Sequence, residues 1–280
     1  MSKFSINDKW LVAGHILNFK DKDPRFHEQC IIVNLKEIKL RPVTEIHDYN
    51  FKLKNAQKFL ETARSIKSKD ELICMEASLR NAEKGIHIMH EKLEANMTEE
   101  ELWSYLHKAN IETGGEWFDT RLLSSGPRTN PWLKECSNRI IQKGDLVAFD
   151  TDMVGPYGYC ADISRTFVEG GKLNEEQKKL HDLAYENIKY NEELIKPGVS
   201  FREFAEKAWK LPDNCFDNHY PCQVHGVGMC DEWPFIPYPD KDYSNGDYSG
   251  VFEENMVISV ESYIGEVGGK EGVKLEDQYL

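Results

Sequence analysis

Residues 149–167 read FDTDMVGPYGYCADISRTF, and this stretch decides the predicted fold. An apolar run leads into the first acids, a Gly-Pro-Tyr-Gly turn follows, and the chain returns toward a third acid, so the pattern predicts strand, turn, strand. Residues two apart share one face of a strand, so we expect Asp150 and Asp152 to point the same way, with Thr151 opposite. The returning strand brings Asp162 back beside them.

Three acids in an otherwise apolar segment need a counter-charge. Clustered carboxylates repel one another and lose hydration when they are buried. A divalent metal ion is the simplest group that offsets both costs. The alternative is that the acids lie exposed on a loop, but the apolar flanking residues favour a buried strand.

The second half of the chain supplies further ligand types. His225 stands in His-Gly-Val-Gly, a predicted turn in which glycine lets the backbone approach a site closely. Glu261 follows the predicted strand 256–260, and Glu276 follows the strand-like run 272–275. Each alone has an ordinary explanation, as a structural histidine or a solvated strand end. Together, five carboxylates and one imidazole suit two cations such as Fe, Mn, Co or Zn.

The order Asp, Asp, His, Glu, Glu on these strands resembles the pita-bread (creatinase/aminopeptidase) metallohydrolase superfamily, which includes methionine aminopeptidase, aminopeptidase P and prolidase. The resemblance covers roughly residues 66–280. It implies an α+β fold with a curved antiparallel sheet, covering helices and pseudo-twofold symmetry, holding two divalent metal ions at its centre. The residues that it implies as ligands, here called the ligand cluster, are Asp150, Asp152, Asp162, His225, Glu261 and Glu276.

Asp-Thr-Asp at 150–152 and three further segments resemble one branch of that superfamily, the pita-bread dimethylsulfoniopropionate lyases. The segments are SGPRTNPW (125–132), HGVGMCDEWP (225–234) and VESYIGEVGG (260–269). In the peptidases, by contrast, the position of Thr151 is occupied by the first aspartate. The lyase resemblance implies iron as the metal, while zinc and manganese are also chemically acceptable.

Two histidines of the peptidases have no counterpart here. Trp132 occupies the position of the histidine that follows a Gly-Asn element, and Asp231 occupies the position of the histidine that follows the HGxG motif. These replacements argue against amide hydrolysis and favour a reaction that needs a carboxylate base. Asp231 is therefore the candidate base, although a capping or solvated pair with Glu232 is an equally ordinary role.

The implied substrate is a small zwitterion with a carboxylate at one end and a dimethylsulfonium at the other. A base would remove a proton next to the carboxylate, and dimethyl sulfide would leave with acrylate remaining. The sulfonium end would favour aromatic faces, although core packing is the commoner role of such residues. The candidates are Tyr220, Trp132, Trp233 and Tyr159. A metal-dependent carbon–sulfur lyase is thus expected; the alternatives are an Xaa-Pro metallopeptidase and a non-catalytic relative.

Composition narrows the class of protein. The 280 residues carry a net charge of −13, which argues against nucleic acid and anionic membranes as partners. Seven cysteines without a CxxC pair indicate reduced thiols and a cytoplasmic protein. The first residues show no signal-peptide pattern, and no apolar run is long enough to span a membrane. A homodimer is expected from the resemblance.

The predicted organisation is a shortened N-terminal region, residues 1–50, followed by a catalytic domain, residues 51–280. A helix is predicted over about 50–65, and capping residues predict four more helix starts, at Ser68, Thr98, Asn174 and Ser200. Only four residues follow Glu276, where the family continues, so we expect the last strand to be cut short.

Overall fold

The computed structural model describes the backbone of residues 10–12, 31–34 and 54–55 and the whole of residues 56–280. The chain divides into two compact units, Met1–Arg64 and Ser65–Leu280. Every residue of the ligand cluster belongs to the second unit. The predicted domain boundary near residue 50 stays a prediction, and most of the predicted N-terminal region lies outside the described residues.

Four helices of the described part begin directly after the predicted caps, and a further helix precedes them. The helices are α1 (Gln57–Arg64), α2 (Lys69–Lys92), α3 (Glu99–Glu112), α4 (Glu175–Leu194) and α5 (Phe201–Lys207). Ser68, Thr98 and Asn174 each accept a hydrogen bond from the backbone N–H three residues on, and the side chain of that later residue accepts one from the cap residue's own N–H. This reciprocal pairing satisfies two amides that the helix leaves open. None of these helices combines the length and apolar character needed to span a bilayer.

Strands in the described residues pair antiparallel. In chain order they are β1 (Trp10–Val12), β2 (Ile31–Asn34), β3 (Lys54–Asn55), β4 (Trp117–Phe118), β5 (Leu123–Ser125), β6 (Leu146–Asp150), β7 (Met153–Val154), β8 (Cys160–Ala161), β9 (Ser164–Val168), β10 (Val224–Val227), β11 (Asp231–Ile236), β12 (Ile258–Ile264) and β13 (Val273–Tyr279). The first unit holds the sheet β1-β2-β3, and the second holds β4-β7-β8, β5-β6-β9 and β11-β10-β12-β13.

Two helical layers cover the two larger sheets. Helices α2 and α3 pack on β5 and β6 through a core that includes Leu106 and Phe149, both fully buried. Helices α4 and α5 pack on β10, β12 and β13 through a core that includes Phe204 and Val260. The pattern of a helix pair followed by strands thus occurs twice, as predicted for the α+β fold.

The two larger sheets meet where β9 runs beside β13. Thr166 bridges them, because its hydroxyl accepts from the Lys274 N–H at 3.0 Å and donates to the Lys274 carbonyl at 2.8 Å. The Arg165 guanidinium adds a bond to the Glu276 carbonyl at 2.6 Å. This junction places the end of β6 against the middle of β13, so acids from both halves of the chain face one another.

Several predicted strand limits were wrong. His225 lies within β10, next to a bulge between His225 and Gly226, and not in a turn. Glu261 and Glu276 lie inside β12 and β13 and pair directly across the two strands, whereas they were predicted to follow strands. Charged residues resemble strand ends in a sequence, but here the Lys274 ammonium contacts both carboxylates and the strands continue.

A buried carboxylate holds the segment after β5, and its loss is expected to destabilise the fold. Fully buried Glu99 accepts from the backbone and hydroxyl of Ser125 and of Ser137, and it pairs with Arg128. Glu99→Ala leaves these donors without their acceptor, so we expect about 3 kcal/mol loss in the free energy of unfolding. Urea denaturation measures it. The exposed neighbour Glu100 supplies the control, Glu100→Ala, and equal small losses in both variants would contradict this role.

Candidate metal centre

The first acids stand where β6 stops. Asp150 is the last residue of β6 and is almost completely buried. Asp152 is not on the strand as predicted: its backbone has a φ of 35°, in the left-handed region, and its carboxylate accepts a hydrogen bond from the Thr120 hydroxyl. A left-handed non-glycine residue is uncommon and often marks a functional site. Asp152 therefore reaches the same place as Asp150 by a backbone bend, not by strand alternation.

Asp162 is fixed from two sides in the gap between β8 and β9. Its N–H donates to the Gln278 side chain at 3.0 Å, and its carbonyl accepts from the Ser259 hydroxyl at 3.2 Å. The hairpin is thus interrupted, since β6 pairs with β9 while β7 and β8 form a separate pair. The predicted meeting of Asp150, Asp152 and Asp162 is nevertheless present, with one carboxylate oxygen of each within 4.8 Å of the others.

His225 contributes the imidazole from the opposite sheet. Its Nε2 lies 3.3 Å from Glu261 Oε1 and 3.4 Å from both Asp162 Oδ2 and Glu276 Oε1. Its Nδ1 lies 3.1 Å from the Gly226 carbonyl, the kind of contact that orients a metal-binding histidine. Nε2 is therefore the nitrogen that faces the carboxylates.

The six residues form overlapping sets with metal-ligand spacing. Each set offers one ligand atom per residue, and the atoms lie within 4.8 Å of one another. Three such sets consist wholly of ligand-cluster residues: Asp150 with Asp152 and Asp162; Asp162 with His225 and Glu276; Asp150 with Glu261 and Glu276. Shared members are what two neighbouring ions with bridging carboxylates require.

The acids carry more negative charge than their surroundings neutralise. Burial and the Glu276 charge raise the pKa of Asp150 to about 7, and the same two causes raise the pKa of Asp162 well above its usual range. Burial also raises the pKa of Asp152 and of Glu261. Such shifts indicate that these carboxylates lack a sufficient cation among the side chains.

The pKa values of Glu276 and His225 shift in the directions expected for a local ion pair. Burial acts to raise the pKa of Glu276, but the Lys274 ammonium and the His225 imidazole hold it well below its usual range. Burial likewise acts to lower the pKa of His225, but the Asp231, Glu261 and Glu276 carboxylates raise it well above its usual range. Lys274 and His225 thus offset the effect of burial on the Glu276 carboxyl.

The donor set fits a divalent metal ion. Oδ1 of Asp150 and Oδ1 of Asp162 are buried and have no hydrogen-bond partner among the described residues. Buried carboxylate oxygens are normally paired, so these two atoms call for a further positive group. Five carboxylates and one imidazole suit Fe, Mn, Co or Zn better than a soft thiolate-preferring ion.

Asp231 lies at the edge of the ligand cluster. It begins β11, its side chain is 52% exposed, and its Oδ1 lies 3.9 Å from His225 Nδ1. Its neighbour Glu232 is not a solvated partner, because it is buried against Lys67 at 2.8 Å. The Glu232–Lys67 pair anchors the start of β11, so Asp231 is held beside the site with open access to solvent.

The four candidate aromatic residues are not brought together. Tyr220 and Trp132 share one cluster with Tyr263, on which Trp132 stacks at 6.3 Å. Tyr159 packs in a different cluster and its hydroxyl donates to Glu71 at 3.2 Å. Trp233 packs edge-on against Phe201 in the α5 core. Of the four, only Tyr220 and Trp132 thus lie together in one cluster.

Three residues close to the ligand cluster were not predicted. Lys274 places its ammonium among the acids, Thr120 holds Asp152, and Cys222 lies with His225 and Glu261 in a further set with ligand spacing. Burial raises the pKa of the Cys222 thiol well above its usual range, which argues against a thiolate ligand. The signal for Lys274 was available, because it lies two residues before Glu276 and so shares its strand face.

Removing Asp152 is expected to empty part of the site. Asp152→Ala deletes a carboxylate that only one of the overlapping sets contains, so we expect metal content to fall from two ions to about one per chain. Elemental analysis after reconstitution measures the content. Asp213→Ala, which removes an exposed acid, is the control. Unchanged stoichiometry in Asp152→Ala would show that Asp152 is not a ligand.

Comparison with known proteins agrees with the observed fold. The profile of metallopeptidase family M24 matches residues 73–280. A second profile, translation initiation factor IF-3, C-terminal domain, matches only residues 33–99, which contain no residue of the ligand cluster. Prolidase from Pyrococcus furiosus superposes with a TM-score of 0.68 and 27% identity, covering 80% of this chain and 64% of that one. The predicted pita-bread fold is confirmed.

Two curated relatives differ in their chemistry. Dimethylsulfoniopropionate lyase DddP from Roseovarius nubinhibens is 39% identical over 250 residues, covering 87% of this chain and 56% of that protein. Xaa-Pro dipeptidase from Pyrococcus furiosus is 31% identical over 248 residues, covering 82% of this chain and 66% of that protein. The chain thus spans little more than half the length of the lyase that it matches.

Proposed function

The chain belongs to metallopeptidase family M24, and from this premise we propose that it is a metal-dependent lyase that cleaves dimethylsulfoniopropionate to dimethyl sulfide and acrylate. The observation that carries the proposal is Asp231, a half-exposed carboxylate held 3.9 Å from His225 at the edge of the ligand cluster. The higher identity to the lyase than to the dipeptidase supports it. An exposed carboxylate base beside a metal centre suits proton abstraction from carbon.

The ligand cluster would hold two divalent metal ions. When bound, such ions supply a Lewis acid that withdraws charge from the substrate carboxylate and acidifies the neighbouring C–H. We assign all six cluster residues as ligands, with His225 binding through Nε2. We further propose iron as the resident metal, a homodimer and a cytoplasmic location. The absence of disulfides among the described cysteines supports the last of these.

Asp231 is the proposed general base. Its carboxylate takes the proton from the carbon next to the substrate carboxylate, and the C–H electron pair forms the new double bond. The bond between the β-carbon and sulfur breaks with its electron pair passing to sulfur. The sulfonium leaves as neutral dimethyl sulfide, and acrylate retains the negative carboxylate.

The sulfonium end is assigned to Tyr220 and Trp132. Both belong to one aromatic cluster, and Tyr220 lies next to the acids, since the Lys274 ammonium is 4.6 Å from its ring centroid. Aromatic faces attract organic cations without requiring a charged partner. An ionic partner at this end would instead hold the sulfonium and oppose its departure as a neutral product.

The test separates this activity from peptidase chemistry. The metal-reconstituted protein is incubated with dimethylsulfoniopropionate, and dimethyl sulfide is measured in the headspace, with acrylate followed in solution. Equal amounts of both products are expected. Release of a free amino acid from an Xaa-Pro dipeptide, without dimethyl sulfide, would contradict the lyase proposal and support a peptidase activity. Neither product from protein carrying two metal ions would favour a non-catalytic relative.

A further inference from the structure

A lysine ammonium lies inside the ligand cluster. Lys274 is completely buried, and its Nζ is 2.6 Å from Glu261 Oε2, 3.1 Å from Asp150 Oδ2 and 3.1 Å from Glu276 Oε2. Its Nζ also donates to the Ser164 hydroxyl at 2.5 Å. The ammonium thus contacts three predicted metal ligands at once, and solvent does not reach it.

The position of the Lys274 ammonium is fixed by the strand that carries it. Lys274 and Glu276 lie on the same face of β13, and the Lys274 backbone is held on both sides by Thr166. The Tyr220 ring covers the ammonium at 4.6 Å. Burying an ammonium costs several kcal/mol unless its partners compensate it, and here its partners are the acids themselves.

The charges of the completed site balance when Lys274 is included. The five carboxylates of the ligand cluster carry five negative charges when ionised, and the neutral imidazole carries none. Two divalent ions and one ammonium neutralise them. Without the ammonium, two divalent ions would leave one negative charge buried, which favours a trivalent ion or an added proton.

We propose that Lys274 is a built-in counter-cation, a positioning residue that keeps the acids assembled in metal-free protein and matches the site to two divalent ions. This deepens the proposed function, because it rests on the proposed metal centre. In metal-free protein the ammonium is the fixed cation nearest Glu261 and Glu276, a cross-strand pair of like charges. Such a pair is destabilising unless a cation lies between its members.

We expect the removal of the Lys274 charge to lower stability more in metal-free protein than in metal-loaded protein. Lys274→Met keeps an unbranched apolar stem of similar length and removes the charge. Metal-free Lys274→Met then contains five clustered acids without their ammonium, whereas bound metal ions still neutralise them. By linkage, metal must raise the melting temperature of this variant more than that of the native protein.

The experiment compares melting temperatures of native protein, Lys274→Met and Lys274→Arg, each stripped by chelator and each reloaded with Mn²⁺. Manganese is chosen because it prefers oxygen ligands and binds the thiols of unfolded chains weakly. We expect metal-free Lys274→Met to melt about 10 °C below metal-free native protein, and the Mn²⁺-loaded pair to differ by less than about 3 °C. Lys274→Arg keeps the charge, so any packing loss should be equal in both states.

The outcomes separate charge from packing. Equal losses of Lys274→Met with and without Mn²⁺, or no loss in either state, would overturn the proposal. If Lys274→Met cannot be purified as folded protein even with Mn²⁺, the double variant Lys274→Met with Asp150→Asn distinguishes a charge role from a packing role. Recovery of the double variant supports a charge role, and failure overturns it. A native protein that Mn²⁺ does not stabilise would overturn the metal centre itself, while a missing lyase activity would leave these melting curves unaffected.

Discussion

Asp231→Asn is expected to abolish dimethyl sulfide release while the protein keeps its metal and its fold. The substitution replaces the proposed base by an amide that cannot accept the proton, and it changes neither the length nor the shape of the side chain. General-base removal typically costs a factor of 10² to 10⁴, so we expect turnover to fall by about 10³-fold. Headspace chromatography of dimethyl sulfide measures the loss.

The fold and the metal content serve as internal checks on Asp231→Asn. The side chain is half exposed and lies at a strand end, so its replacement should shift the free energy of unfolding by no more than about 0.5 kcal/mol. Asp213→Asn, which alters an exposed acid, is the matched control and should retain full turnover. Asp231→Asn with native turnover would remove Asp231 as the base.

His225→Gln is expected to cause the largest loss of metal. The imidazole is the only nitrogen ligand proposed, and its Nε2 faces three carboxylates from three different strands or loops. Glutamine is a poor ligand for these ions, because its side chain has no imidazole nitrogen. We expect affinity for divalent metal to fall by about 100-fold or more, with activity lost in parallel.

A titration with Mn²⁺ under calorimetry checks His225→Gln directly. The exposed imidazole of His87, on α2, supplies the matched control, His87→Gln, which should bind metal like the native protein. Native affinity in His225→Gln would exclude the imidazole as a ligand. It would also require the acids alone to hold the ions.

The helices could be predicted because their signals are local. Ser68, Thr98 and Asn174 each carry their partner three residues ahead, and no distant contact is needed to form the capping box. The prediction was less accurate for the first helix, which was expected from about residue 50, whereas the helix begins at Gln57. The clustering of the acids with His225 was also predicted, because metal chemistry restricts the residue types. Their role as metal ligands stays a prediction.

Strand limits and backbone bends could not be predicted in the same way. Glu261 and Glu276 look like strand ends when read alone, and only their pairing with each other beside Lys274 shows why the strands continue through them. Asp152 reaches the site through a left-handed backbone conformation that a non-glycine residue rarely adopts. Neither feature follows from periodicity.

The positions of the aromatic side chains and the burial of Lys274 depend on long-range packing. Tyr159 and Trp233 lie next to site residues in the sequence, yet each side chain packs into a separate cluster. A lysine between apolar residues of a strand ordinarily faces solvent. Lys274 is buried because β9 and Tyr220 cover its face of β13, and this contact joins residues more than fifty positions apart.

The central claim is a pair of metal ions held by side chains from both halves of the chain. Crystals of the Mn²⁺-loaded protein, measured near the manganese absorption edge, test it most directly. The account predicts two anomalous difference peaks, each bound by carboxylates of Asp150, Asp152, Asp162, Glu261 or Glu276, with His225 Nε2 on one of them. A fully loaded crystal with no peak among these residues would contradict it.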